Sequence, residues 1–155
     1  MLKPLVGIAI LVILILLSSE ILVGLFSFTR LISTKGNLYT PPDIAIYQDS
    51  NCTIPVFYID WGSLEPGMAR KTTMYICNEG TGKVELLLEA ASWEPANISS
   101  YLNLTWNYNG VALFPSKTIE VTLTLSSSSS PDFTEYLVAY DVREFSFDII
   151  IGAFS

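Results

Sequence analysis

The sequence contains no histidine and only two cysteines among its 155 residues. Histidine is the side chain that most often acts as a general base and as a metal ligand, so its absence removes the commonest route to either chemistry. Two cysteines are too few to form a tetrahedral zinc site of their own. No G-x-S-x-G, H-E-x-x-H, phosphate-loop or dinucleotide-binding motif occurs. We therefore predict that the chain is not an enzyme and that it has no catalytic residues, no cofactor and no metal site.

Basic residues are also scarce. From Gly36 onward, five Lys and Arg residues stand against 14 Asp and Glu residues. Surfaces that bind nucleic acid are rich in basic residues, so this balance excludes nucleic acid as an expected partner. A net negative charge of this kind is typical of an exposed, soluble surface whose like charges repel one another.

The first thirty residues contain a long apolar run. Residues 5–28 include a single charged residue, Glu20, among 24 positions. A helix of this length would measure roughly 36 Å at about 1.5 Å per residue, enough to cross a hydrocarbon core of about 30 Å. We predict that residues 1–30 form a transmembrane anchor or signal segment. Retention is favoured over cleavage because the run exceeds the usual apolar core of a signal peptide and no small-x-small cleavage site follows it.

The rest of the sequence predicts a short spacer and one β-domain. Residues 31–42 are mainly polar and end in two prolines, which favours an extended spacer. Residues 43–155 contain short stretches of alternating apolar and polar residues, separated by Gly, Pro and Asn, as strands and turns require. The predicted strands cover residues 43–47, 56–61, 71–77, 84–90, 102–108, 118–125 and 145–151. About seven strands without crossover helices favour an all-β, immunoglobulin-like antiparallel β-sandwich.

The segments between these strands carry weaker signals. Residues 95–101 fit either a helical turn or a loop, and residues 126–130 are a run of five serines that predicts a solvated loop. Residues 132–143 fit either a loop or an additional edge strand. The predicted strands 118–125 and 145–151 carry the longest apolar faces in the domain, so we expect them to supply its core.

Two kinds of residue indicate an extracellular domain. An even number of cysteines outside the cell suggests a disulfide between Cys52 and Cys77. The alternative is a free thiol at Cys52, with Cys77 as a small buried apolar residue. Three N-x-[ST] motifs make Asn51, Asn97 and Asn103 candidate glycosylation sites. Both features favour a topology with the N-terminus in the cytoplasm and the domain outside, or secretion if the first segment is cleaved.

Two further sets of residues are candidate ligand sites. Three tryptophans could stack on sugar rings, although tryptophans at alternating strand positions are more often part of the core. Three aspartates could bind Ca²⁺ through their oxygens, although no calcium-binding loop motif is present and a solvated acidic rim is favoured. These residues are Trp61, Trp93, Trp106, Asp43, Asp49 and Asp60.

Several turns and strands resemble those of a known group of proteins. The motifs are IDWG, LEPG, ICNEG, SWEPAN, LTWNYNG and FSFDI, at residues 59–62, 64–67, 76–80, 92–97, 104–110 and 145–149. They are similar to motifs of small exported archaeal proteins of unknown function, which combine one N-terminal transmembrane segment with one immunoglobulin-like domain. The resemblance implies an anchored immunoglobulin-like module without a catalytic signature.

These observations favour a membrane-anchored extracellular immunoglobulin-like domain with a structural or interaction role at the cell surface. Its expected partners are the lipid bilayer, through the N-terminal helix, and a cell-surface protein or glycan. Two alternatives stay open. One is a subunit of a surface filament or surface layer that assembles by lending its first predicted strand, residues 43–47, and the proline-bounded leader before it to a neighbour. The other is a carbohydrate-binding module.

Overall fold

Residues 32–40 and 43–154 are described by the computed structural model, and they form eight β-strands, one α-helix and one 3-10 helix. The strands are β1 (Ile32–Tyr39), β2 (Ile44–Tyr47), β3 (Tyr58–Leu64), β4 (Ala69–Asn78), β5 (Glu85–Glu94), β6 (Leu102–Trp106), β7 (Thr118–Ser127) and β8 (Glu144–Phe154). The 3-10 helix covers Ala96–Ser100, and the α-helix, α1, covers Pro131–Ala139.

The strands form two four-stranded sheets that enclose one core as a β-sandwich. Sheet A has the strand order β3-β1-β8-β5, and sheet B has the order β2-β4-β7-β6. Neighbouring strands are antiparallel, except that β1 runs parallel to β8, with Ser33 opposite Glu144 and Tyr39 opposite Ile150. The all-β sandwich predicted from the sequence is thus confirmed.

The core is built by residues that alternate along each strand. Leu123 and Leu125 of β7 are fully buried, as are Ile149 and Ile151 of β8. The residues between them are more exposed, because successive side chains of a strand point to opposite faces of the sheet. β7 and β8 lie in different sheets, and their buried residues belong to one hydrophobic cluster. The prediction that these two strands supply the core is confirmed.

A strand occurs where the sequence predicts a spacer. β1 covers most of residues 31–42 and lies inside sheet A, between β3 and β8. Thr34 and Gly36 are buried while Lys35 and Asn37 are exposed, so the segment alternates with the period of a strand. Two successive inward residues, Thr34 and Gly36, are small or polar, and they interrupt the apolar pattern before Leu38, which packs against the core. The alternation of large apolar residues therefore does not reveal the strand.

β3 continues past Gly62, where the sequence predicts that the strand ends. Gly62 has a φ of +67°. The register with β1 shifts at this point, from Thr34 opposite Gly62 to Lys35 opposite Asp60. The additional residue forms a β-bulge, which glycine permits because it adopts positive φ without a steric penalty. The strand therefore continues to Leu64.

Residues 132–143 contain most of a helix rather than the predicted loop or edge strand, so that prediction was wrong. α1 begins after Ser130, whose hydroxyl oxygen accepts a hydrogen bond from the N–H of Phe133 at 3.3 Å. Pro131 at the first helical position favours the same start, because its missing N–H needs no partner there. Phe133 and Leu137, four residues apart, are fully buried and attach one face of α1 to the core.

The long apolar run lies outside the described part of the chain. Within residues 32–40 and 43–154, no helix combines the length and the apolar character needed to cross a bilayer. The anchor or signal segment predicted at residues 1–30 falls outside these ranges and stays a prediction.

Candidate functional site

The predicted disulfide between Cys52 and Cys77 is present. Cys77 lies near the end of β4, and Cys52 lies in the loop of residues 48–57 between β2 and β3. The sulfur of Cys52 is 3.3 Å from the hydroxyl oxygen of Thr118, the first residue of β7. The bond therefore fixes the 48–57 loop to sheet B.

Asp49 organises the same loop. Its carboxylate accepts hydrogen bonds from the N–H groups of Thr53 at 3.0 Å and Ile54 at 2.8 Å, and from the Thr53 hydroxyl at 2.8 Å. Desolvation acts to raise the pKa of Asp49, but the hydrogen bonds stabilise the ionised form and outweigh it, so the pKa lies below its ordinary value of 3.8. Both carboxylate oxygens of Asp49 therefore already accept hydrogen bonds within the loop.

The three aspartates considered for calcium act separately. Asp60 accepts a hydrogen bond from the N–H of Gly62 at 2.8 Å, within the β-bulge of β3. Asp43 lies beside Gly80, where a Cβ would come within 2.8 Å of the Asp43 Cβ. Among the residues that the structure describes, no three His, Cys, Asp or Glu side chains gather so that they could hold a metal ion.

Asn78, which the sequence interpretation missed, joins two loops at one end of the sandwich. It is 1% exposed. Its amide nitrogen donates hydrogen bonds to the carbonyl oxygens of Gly82 at 2.8 Å and Leu113 at 2.9 Å, and its side-chain oxygen accepts one from the N–H of Gly80 at 2.9 Å. The available signal was the Asn-x-Gly pattern, in which the asparagine side chain bonds the backbone two residues on.

All three candidate glycosylation sites are exposed. Asn51 lies in the loop that the disulfide fixes, Asn97 lies in the 3-10 helix, and Asn103 lies on β6, at the edge of sheet B. Their exposure allows a glycan to be attached without entering the core. Glycosylation itself stays a prediction.

The three tryptophans do not form a common surface. Trp61 is 5% exposed. Trp93 stacks on Phe147 with ring centroids 4.2 Å apart, and Trp106 contacts Tyr108 with centroids 5.1 Å apart. They lie on three different strands and belong to the core or pack against it. This arrangement favours the core interpretation over a sugar-stacking platform.

Two adjoining hollows form a concave surface beside α1, and we refer to this surface as the tyrosine cleft. Tyr101, Tyr136 and Tyr140 contact one another in succession, with ring centroids 5.2 Å and 5.1 Å apart. Two hollows of about 560 Å³ and 710 Å³ are both lined by Tyr136 and Tyr140, and Asn97 lines both as well. Tyr140 is 72% exposed, so one end of this row of rings faces solvent.

The chemistry of the tyrosine cleft is aromatic and mainly acidic. Asp141, Arg143 and Glu144 line the larger hollow. Arg143 forms an ion pair with Asp141 at 3.2 Å, which offsets its positive charge. Burial raises the pKa of Tyr136, which extends to higher pH the range in which its phenol keeps the proton that it can donate. The tyrosine cleft offers ring faces and carboxylate acceptors, and it is poorly suited to anions.

Neither a protein-family model nor a curated protein matches the chain. The disulfide and the exposed asparagines bear most directly on the location of the domain, and the strand order bears on its assembly.

Proposed function

We propose that the chain is a membrane-anchored extracellular immunoglobulin-like domain with a structural or interaction role at a cell surface. The observation that carries the proposal is the Cys52–Cys77 disulfide in a chain that also has an apolar run over residues 5–28. Disulfides form and persist in oxidising compartments. An apolar run of this length is the pattern of a transmembrane helix.

The strand order supports an immunoglobulin-like assignment. In such a domain one sheet has the order A-B-E-D and the other contains C, F and G. Sheet B, with the order β2-β4-β7-β6, corresponds to A-B-E-D, and β5 and β8 of sheet A then correspond to C and F. The place of G beside β8 is taken by β1, which runs parallel to β8 rather than antiparallel.

The start of β1 gives the orientation of the domain on the proposed anchor. β1 begins at Ile32, four residues after the apolar run ends at Phe28. Four residues span at most about 14 Å, so the end of the sandwich where β1 begins must lie close to the bilayer. This end includes the start of β8, and the tyrosine cleft lies beside it.

The opposite end of the sandwich then faces away from the membrane. It carries the turn that Asn78 organises, together with three exposed apolar side chains: Val111, Phe114 and Phe154, each more than half exposed. Exposed apolar side chains are characteristic of interaction surfaces, and these three lie at the end that the proposed anchor directs away from the membrane. We assign the interaction role to this end.

The carbohydrate-binding alternative has less support. The three tryptophans that would form its sugar-stacking platform pack in or against the core. The tyrosine cleft retains the aromatic and carboxylate groups that a sugar-binding site uses, but under the proposed anchor it lies at the membrane-facing end, away from extracellular glycans. The strand-lending alternative rests on a separate observation, the position of β1.

Protease treatment of intact cells tests the proposal. The full chain is expressed with an epitope tag after Ser155, and protease is added to intact cells and, as a control, to permeabilised cells. We expect the tag to be lost from intact cells, and the untreated chain to stay in the membrane fraction after alkaline carbonate extraction. A tag that is protected until the cells are permeabilised would contradict the extracellular topology, and release by carbonate would contradict the anchor.

A further inference from the structure

β1 completes sheet A by pairing with two strands at once. It pairs with β3 from Ile32 opposite Leu64 to Asn37 opposite Tyr58, and on its other side it pairs with β8. β3 and β8 do not pair with each other, so β1 satisfies the main-chain hydrogen-bonding groups of both. Without β1, each would present an open strand edge, which readily pairs with another extended segment.

The place that β1 occupies in sheet A leaves little room for a side chain at one of its residues. At Gly36, a Cβ would come within 2.7 Å of Cδ1 of Ile149 and 3.2 Å of Nε1 of Trp61, so a larger residue would require these side chains to shift. Glycine fits at this crossing without such a shift. The segment that occupies this place in the structure is β1, and a second copy of the chain carries the same segment.

Two inward positions of β1, Thr34 and Gly36, add little to holding the strand in place. Thr34 is fully buried, and its hydroxyl group has no hydrogen-bond partner among the described residues, nor does the buried Nε1 of Trp61 on the neighbouring strand. Gly36 adds no apolar area, while Leu38 is half-buried and packs against the core. Main-chain pairing with β3 and β8 holds β1 in sheet A, and a second copy of the same strand would supply this pairing and the Leu38 contact equally.

The position of β1 in the chain allows exchange without threading. It precedes all other strands of the described chain, and residues 40–43 connect it to β2. It can therefore leave one sandwich and enter another while the remaining strands stay in place. A four-residue connection spans at most about 14 Å, so two exchanging copies must lie side by side.

We propose that β1 is an exchangeable strand and that its partner is a second copy of this chain. β1 of one copy pairs with β3 and β8 of the other, in the register that its own β1 takes in the structure. Reciprocal exchange produces a closed dimer, and serial exchange produces a chain of copies. The proposal goes beyond the proposed function and does not depend on where the domain is located.

Cysteine cross-linking of the full chain tests the exchange. Asn37 on β1 lies opposite Asp148 on β8, with Nδ2 of Asn37 3.4 Å from Oδ1 of Asp148. One copy carries Asn37→Cys and one epitope tag, and the other carries Asp148→Cys and a different tag. The two are expressed together, extracted in detergent and oxidised. We expect a disulfide-linked dimer that carries both tags and separates on reduction.

Two controls make every outcome decisive. Lys71 is exposed on β4 in the other sheet, so Asn37→Cys combined with Lys71→Cys should give no mixed dimer. Equal yields from the two combinations would attribute the dimer to random collision and overturn the proposal. A single chain that carries both Asn37→Cys and Asp148→Cys reports whether β1 and β8 pair at all. Cross-linking only within that chain would show that β1 stays in its own copy. The absence of any cross-link would show that Asn37 of β1 and Asp148 of β8 do not lie opposite each other. Either result overturns the proposal.

Discussion

Two polar side chains, Asn78 and Asp49, shape the loops around sheet B. Asn78 is buried and bonds three backbone groups of two different loops. Asp49 is only partly exposed to solvent and bonds the backbone of its own loop as an ionised group. The first is a neutral group whose contribution is the same at every pH, whereas the second is a charged group whose contribution depends on pH.

Replacing Asn78 by Ala is expected to lower the free energy of unfolding by about 1–3 kcal/mol, because the carbonyl oxygens of Gly82 and Leu113 lose their side-chain donor in a buried place. Asn109→Ala is the matched control. Asn109 is exposed and accepts one weak hydrogen bond, from the N–H of Val111 at 3.3 Å, so its loss should cost less than about 0.5 kcal/mol. Urea denaturation of the full chain in detergent measures both. Equal losses would contradict the role of Asn78.

Asp49→Asn is expected to change how stability depends on pH. A pKa below the ordinary 3.8 means that ionised Asp49 stabilises the folded state above that pH, and that this contribution is lost as the pH falls through the lower, folded-state pKa. The advantage of the natural chain over Asp49→Asn should therefore be full at neutral pH and should shrink below pH 3.8. Denaturation midpoints of both chains across this range provide the measurement. An advantage that stays constant through acid pH would show that the carboxylate hydrogen bonds do not stabilise the loop.

At the scale of single elements, the sequence predicted those strands in which large apolar residues alternate, and it missed elements that carry few of them. The strands β4 and β7 lie close to their predicted positions because large apolar side chains alternate along them. β1 was missed because two successive inward positions, Thr34 and Gly36, carry no large apolar group and interrupt the alternation. α1 was missed because only Phe133 and Leu137 mark its buried face, and because a serine run precedes it.

The start of α1 depends on the last serine of that run. Ser130→Ala removes the hydroxyl oxygen that accepts from the N–H of Phe133, and it should lower the free energy of unfolding by about 1 kcal/mol. Ser129→Ala, one residue earlier at an exposed position, should change it much less. Thermal unfolding followed by circular dichroism compares the two variants. A loss as large for Ser129→Ala as for Ser130→Ala would contradict the capping role.

The register of β7 has an equally direct test. Leu123 is fully buried, so Leu123→Ala should cost about 2–5 kcal/mol of unfolding free energy. Thr122, on the opposite face, contacts the hydroxyl group of Thr73 at 3.0 Å, and Thr122→Ala should cost about 1 kcal/mol or less. Denaturant midpoints of the two variants measure the difference. Similar losses of unfolding free energy for the two substitutions would contradict the assignment of the Leu123 face of β7 to the core.

At the scale of the whole molecule, strand order and long-range packing carry what the sequence pattern does not. Alternation predicted a sandwich, but it does not show that the first strand lies parallel to the last, between β3 and β8. The tyrosine cleft likewise depends on α1, which brings Tyr136 and Tyr140 beside Tyr101 from a distant part of the chain. The disulfide could be predicted because the chain has only two cysteines, which can pair with each other in only one way.

The intact mass of the full chain, extracted from membranes without reductant, tests the proposed anchored extracellular domain most directly. We expect a mass that includes residues 1–30, that lies about 2 Da below the dithiol form because Cys52 and Cys77 are bonded, and that carries glycan on at least one of the three asparagines. A chain found in the medium without its first thirty residues would contradict the anchor. A membrane-bound chain with two free, alkylatable thiols and no glycan would contradict the extracellular location.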